Sequence, residues 1–280
     1  MTTGAADSTP RTGKASKAGP SMTGNEASDR LPPSRLYKYR PPDLEKLADI
    51  LLKNELWAAE PSTFNDPFDC FPHIDLRGTY VEALAYIDLR IARTGIVLSR
   101  EKRRAKAREI SKHGLGALSE ETRGPGLWRD TIRRFGVVSL AVDPLDILMW
   151  GHYADHHRGV CLGFATDEHP LTLASEVRYD VERPTFRPLD PDRVGLMERI
   201  LLRKARIWEY EHEWRYVRIT DGAGATAFPA TALRSIVLGA AIPKSVEREV
   251  RSLLARRQRP IVVERSVFDK KDFKLHRRSA

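Results

Sequence analysis

The chain has 280 residues, 41% hydrophobic and 30% charged, with a formal net charge of +9. That suits one large domain with an insertion and a tail, able to bury a sizeable core. No apolar run is long enough for a membrane-spanning helix, and the first residues lack the apolar core of a secretory signal. Cys70 and Cys161 stand far apart without metal-ligand spacing, so a reducing cytoplasm is the expected compartment.

Residues 1–34 are rich in Ser, Thr, Ala, Gly and Pro. They bury too little apolar surface to offset ordering entropy, which predicts a disordered tail ahead of a single domain over 35–276. Residues 36–39 read as a first strand, ended by Pro41-Pro42. Asp43 caps a helix with Leu44, Leu47, Ile50 and Leu51 on one face. A second strand over 56–59 leads into an irregular loop at 61–69. There Pro67 keeps Asp66 out of the helical region, and Asn65 and Asp66 can bond their own backbone. Residues 79–134 read as a helical insertion broken at 124–126. Its segment 100–112 carries seven Lys or Arg against two Glu.

A buried-type strand follows at 136–142, and Asp143-Pro144 opens a helix carrying Met149, Trp150 and Tyr153 on neighbouring turns. Arg158-Gly159 turns the chain into a strand at 160–164. A helix is expected from 190 to about 206, a strand from Glu211, a Gly/Ala loop at 221–227 and a strand at 235–239. An amphipathic helix at 243–257 and a last core strand at 260–264 complete the pattern. Strands and helices mix without regular βαβ repetition, so the expected class is α+β: a mixed or antiparallel central sheet with flanking helices. From 244 to 280 there are 12 Lys or Arg against 5 Asp or Glu. Such basic stretches attract phosphate-bearing partners, and they also serve as solvated faces.

The densest chemistry lies at 207–217. In a strand, Glu211, Glu213 and Arg215 share one face, and His212, Trp214 and Tyr216 the other. Carboxylates two residues apart repel unless a cation or proton lies between them. A ligand site accounts for the pattern; so does a salt-bridged edge strand in which Arg215 and Lys204 neutralise the two glutamates. Trp150 and Tyr153 offer flat ring surfaces, and Arg158 suits two-point phosphate contact. Core packing of Trp150 and pairing of Arg158 with Asp155 are the alternatives. His152 and His156, four apart on the proposed helix, have a metal-binding spacing but no accompanying metalloprotease carboxylate, and no metal is expected. Phosphate-binding glycine loops, zinc patterns and a nucleophile elbow are absent from the sequence.

The segments Leu36-Tyr37-Lys38-Tyr39, Asn65-Asp66-Pro67-Phe68-Asp69, residues 150–164 and Trp208-x-x-Glu211-x-Glu213-x-Arg215 resemble, over roughly 36–240, a bacterial family catalogued as domain of unknown function 2971. That name implies no activity. More distantly, the order of first strand, helix, second strand and late Glu211-x-Glu213 pair is similar to that of ADP-ribosyltransferases. This resemblance implies NAD as substrate, a nucleotide ligand in the site, and a toxin or phage-defence setting. It puts Glu213 beneath the ribose and Glu211 against the acceptor. Lys38, Arg40 and Arg158 would meet the pyrophosphate. Tyr37, Tyr39, Trp150 or Tyr153 would stack on the rings, and Asn65 and Asp66 would bond the carboxamide or ribose. The acceptor, protein, nucleic acid or small molecule, stays open. So do two other classes: a non-enzymatic module binding nucleic acid or protein, and a nuclease holding Mg²⁺ on Asp66, Asp69, Glu211 and Glu213 beside Lys204.

Overall fold

Strand β1 (Arg35–Arg40) stops at Pro41, and Asp43 caps α1 (Leu44–Ala48), its Oδ1 accepting the Lys46 N–H at 3.1 Å. A π-helical turn, Asp49–Lys53, extends α1 and closes on Asn54 at φ 56°, which starts β2 (Glu55–Ala58). After β3 (His73–Ile74), the insertion comprises α2 (Tyr80–Thr94), α3 (Arg100–His113) and α4 (Gly124–Ile132). Next come β4 (Gly136–Leu140), α5 (Ile147–Tyr153), β5 (Val160–Ala165), and the short strands β6 (Ser175–Glu176), β7 (Arg178–Asp180) and β8 (Thr185–Phe186). Then follow α6 (Arg193–Leu201), β9 (Arg203–Ala205), a 3₁₀ turn at Arg206–Glu211, β10 (Trp214–Arg218) and β11 (Gly224–Ala227). The chain ends with β12 (Leu233–Leu238), α7 (Lys244–Ala255), β13 (Val262–Phe268) and β14 (Leu275–Ser279). This computed structural model describes residues 30–117, 124–191, 193–219 and 221–280, so the expected tail up to residue 29 and insertion residues 118–123 lie outside the described residues.

The architecture is α+β. One mixed sheet has the order β1-β5-β12-β13-β14, antiparallel except for the β12–β13 pair that α7 connects. A second, antiparallel sheet has the order β4-β10-β6. Bridges at β1 and beside β2 join the first sheet, and the separate β2–β11 pair, to the second sheet. Tyr37 exchanges two 2.8 Å backbone bonds with Ala141, and Ala59 exchanges two at 2.9 Å with Val137.

Period-two alternation in β1 sends Leu36 into the main core and Tyr37 and Tyr39 into a second cluster. The main core sets Leu47, Ile50 and Val250 of the helical side against Leu162, Phe164 and Ile236 of the sheet, and reaches Val138 and Trp214 of the second sheet. Each such fully buried side chain contributes about 1.5–3 kcal/mol. The α2–α3 pair has its own small core of Ala83, Ile87, Ala107, Ile110 and Leu115 with Leu189. Thr79 and Glu82 form a reciprocal capping box at the start of α2. No helix among the described residues is long and apolar enough to cross a membrane.

Several expected boundaries shift for local reasons. Asp146, not Asp143, caps α5, accepting the Met149 N–H at 2.9 Å, while Asp143 closes the preceding turn through the Leu145 N–H. The helix expected to about 206 stops at Leu201, because Lys204 pairs in register with Tyr179 and carries its ammonium into a buried ion cluster. The strand expected from Glu211 starts at Trp214, after His212 at φ 43°. The expected loop at 221–227 contains β11, which pairs with β2. The expected break at 124–126 is the first turn of α4, where proline needs no N–H partner. The last core strand runs on to Phe268, and β14 carries the sheet to Ser279, past the expected domain end at 276.

Candidate functional site

Arg215 is 1% exposed and organises a cluster of ions between the second sheet and the loop after β2. Its Nη1 and Nη2 donate to the Asp69 carboxylate at 2.9 and 2.6 Å, and its Nε and Nη2 donate to Glu213 at 2.8 and 2.9 Å. The two-point geometry is that of strong guanidinium–carboxylate pairs. Lys204 Nζ, delivered by β9, reaches Glu211 at 2.5 Å, Glu213 at 3.1 Å and Asp69 at 3.7 Å. The left-handed turn at His212 lets Glu211 and Glu213 meet one ammonium although they do not share a strand face. Tyr179, the register partner of Lys204, accepts the Glu213 N–H at 2.8 Å.

Ions out of water cost several kcal/mol each unless their partners are well placed. Burial pushes the Glu213 carboxyl up, but Arg215, Lys204 and a Ser139 hydrogen bond outweigh it and hold the group at about 2. Burial wins at Glu211, whose carboxyl is raised despite Lys204 and the Tyr153 hydroxyl, which donates to it at 2.7 Å. Burial also raises the Tyr153 phenol, and the bond to Glu211 raises it further. Because the Glu213 pKa is depressed, its stabilisation is fully present above 4.5 and is lost as pH falls toward 2. Urea midpoints are expected to hold from pH 7 to 5 and to fall steeply below 4.5, more steeply than for Glu213→Gln; identical acid limbs in the two proteins would contradict the pairing.

The cluster forms one wall of a cleft of about 720 Å³. Lys38 and Arg40 of β1, Ser139 of β4, Tyr153 of α5, Asn65 and Trp57 line it together with Glu211, Glu213 and Lys204. Half-buried Lys38 donates to the Ser139 carbonyl at 2.8 Å. Burial and the neighbouring Arg40 lower its ammonium to about 7, against the opposing pull of Glu213. Asp155 and His156, which line the cleft, and the following His157 take φ values of 47°, 53° and 66°, a positive-φ run that costs about 1–3 kcal/mol per residue.

Of the residues expected at the site, Tyr37, Lys38, Tyr39, Arg40, Asn65, Tyr153, Glu211 and Glu213 line this one cleft. Three do not. Asp66 is 8% exposed and holds the loop by accepting the Phe68 N–H at 2.8 Å. Trp150 is fully buried, its indole N–H donating to the Pro144 carbonyl at 2.9 Å and its ring meeting Tyr39 edge-on. Arg158 turns back onto Asp155 at 2.8 Å. Tyr37 and Tyr39 are themselves largely core residues, and the Tyr39 hydroxyl donates to the Asp143 carbonyl. Ring surface in the cleft comes instead from Trp57, 56% exposed, with Phe64, Tyr153 and His152. The outward Trp57 between core-facing Leu56 and Ala58 was a legible period-two signal. The helical i, i+4 spacing of His152 and His156 is not realised, because α5 ends at Tyr153. Among the described residues no group of three or more His, Cys, Asp or Glu is arranged to hold a metal ion.

No family model matches the chain, and neither a curated protein nor a solved structure matches it. The likenesses read from the sequence therefore rest on the motif residues alone.

Proposed function

We propose that the cleft binds a NAD-type dinucleotide and cleaves its nicotinamide–ribose bond, passing the ADP-ribosyl group to an acceptor. The observation that carries this reading is the charge balance of the ion cluster: Asp69, Glu211 and Glu213 against Lys204 and Arg215, one negative charge in excess beside the cleft. Breaking the bond develops positive charge on the ribose, and a fixed, poorly solvated anion stabilises that state more than the ground state. The nicotinamide leaves with the bonding electrons, and the acceptor loses its proton as it bonds to the ribose.

Within this reading the ribose-facing role passes from Glu213 to Glu211, and the acceptor's proton goes to Lys38. Both Glu213 oxygens are engaged by Arg215, and one also by Lys204, so it fixes the charge from behind. Glu211, held by Lys204 and the cleft-lining Tyr153 but bonded to no guanidinium, is the carboxylate assigned to the ribose. Arg40 attracts the pyrophosphate, Trp57 and Phe64 supply ring surface, and the amine form of Lys38 accepts the acceptor's proton. The nuclease alternative is disfavoured, because Arg215 and Lys204 already occupy the cationic positions on Asp69 and Glu213.

Incubating the purified protein with NAD, with and without EDTA, and following free nicotinamide by chromatography tests the reading. Nicotinamide is expected to accumulate equally in both samples; none released would overturn it. Transfer is expected to rise as pH increases through about 7, where Lys38 loses its proton, and Lys38→Met is expected to remove that limb. An unchanged pH profile in the variant would take Lys38 out of the mechanism.

A further inference from the structure

The hairpin of β13 and β14 does not end with the sheet. Arg40, Val160, Leu238 and Arg265 align across four strands, and Ser266, Val267 and Phe268 run on beyond that line before the turn at 269–274. The overhang is at the cleft's end of the molecule: Phe268 contacts the His157 ring at 5.3 Å, beside the cleft-lining Asp155 and His156.

The turn is built rigidly. Asp269 Oδ1 accepts the Lys271 and Asp272 N–H groups at 2.8 Å each, and Oδ2 meets His276 at 2.5 Å. Those bonds hold the Asp269 carboxyl well below its usual range, so the turn keeps its shape at neutral pH. On this frame Phe273 is 100% exposed and Phe268 59%. Phe273 stands among the exposed cations Lys270, Lys271 and Lys274, with Arg277 and Arg278 on β14. Lys274 pairs with Asp272 and Arg277 with Glu264, whereas Lys270, Lys271 and Arg278 have no ion-pair partner among the described residues. Arg278 lies directly opposite Arg265, whose own charge is met by Glu247 of α7 at 2.5 Å, so Arg278 is the cation of that pair left facing solvent.

We propose that this hairpin tip is a docking surface for single-stranded nucleic acid. Lys270, Lys271 and Arg278 contact backbone phosphates, and an unpaired base stacks on the Phe273 ring. A free aromatic face beside unpaired cations is the combination that single strands use, since a duplex hides the faces of its bases. The surface is independent of what the cleft does.

Fluorescence anisotropy with a labelled single-stranded oligonucleotide of about 16 nucleotides tests this on the full chain. Salt-sensitive binding is expected. Phe273→Ala is expected to weaken it about 5- to 150-fold, and Lys270→Glu/Lys271→Glu to lower the slope of log affinity against log salt by about 1–2. All three positions are exposed, so unchanged melting temperatures should accompany the losses. Binding that ignores these variants, equal affinity for a duplex of the same length, or capture only by phosphatidylserine vesicles would overturn the assignment.

Discussion

Arg215→Met is expected to lower unfolding free energy by about 3–5 kcal/mol, the range for breaking a buried ion pair from one side. The side chain is fully enclosed, and its guanidinium serves Asp69, Glu213 and the Leu201 carbonyl at once. Its removal leaves three buried carboxylates, Asp69, Glu211 and Glu213, sharing Lys204 as their one cation. Urea denaturation should show a lower midpoint with an unchanged slope. Replacing Asp69, Glu213 and Arg215 together by apolar residues of similar volume is expected to recover most of the loss, because a well-packed apolar core often equals or exceeds a buried ion pair. That recovery would mean that folding alone does not require the charges. A wild-type midpoint for Arg215→Met would contradict the cluster geometry itself.

Glu211→Gln is expected to slow nicotinamide release about 100- to 1000-fold, the usual cost of removing one group that stabilises transition-state charge. Stability should change less than for Arg215→Met. Lys204 keeps Glu213 at 3.1 Å and Asp69 at 3.7 Å, and the amide oxygen can still accept from Tyr153. Single-turnover nicotinamide release, beside a urea curve on the same sample, separates the two effects. Activity within a few-fold of wild type would shift the catalytic role to Glu213 or dissolve it.

Much of the architecture was legible because local rules suffice for it. The alternation of residues 36–39, the Asp43 cap, the buried run at 160–164 and the amphipathic α7 each fix an element without distant information. That Tyr37–Arg40 would meet Glu211 and Glu213 was expected only through the order of elements shared with ADP-ribosyltransferases, not from the residues themselves. What escaped notice depended on partners far along the chain. Lys204 sits in a sequence that reads as helix, and only pairing with Tyr179 and three carboxylates makes it a strand. Residues 212 and 155–157 take positive φ, which His and Asp tolerate better than most side chains but which their presence alone does not specify. Trp150 and Arg158 have the chemistry of ligand contacts, yet the Pro144 carbonyl and Asp155, both local, claim them. The glutamate pair proved to be both an ion-paired structure and a wall of the cleft, two readings the sequence had set against each other.

The most direct measurement is a crystal of the protein soaked with a carbocyclic NAD analogue that resists cleavage. The account predicts the dinucleotide in the cleft, its nicotinamide-bearing ring against Glu211 and its pyrophosphate toward Arg40. A cleft left empty at saturating analogue, or an analogue seated with that ring turned away from Glu211, would contradict it.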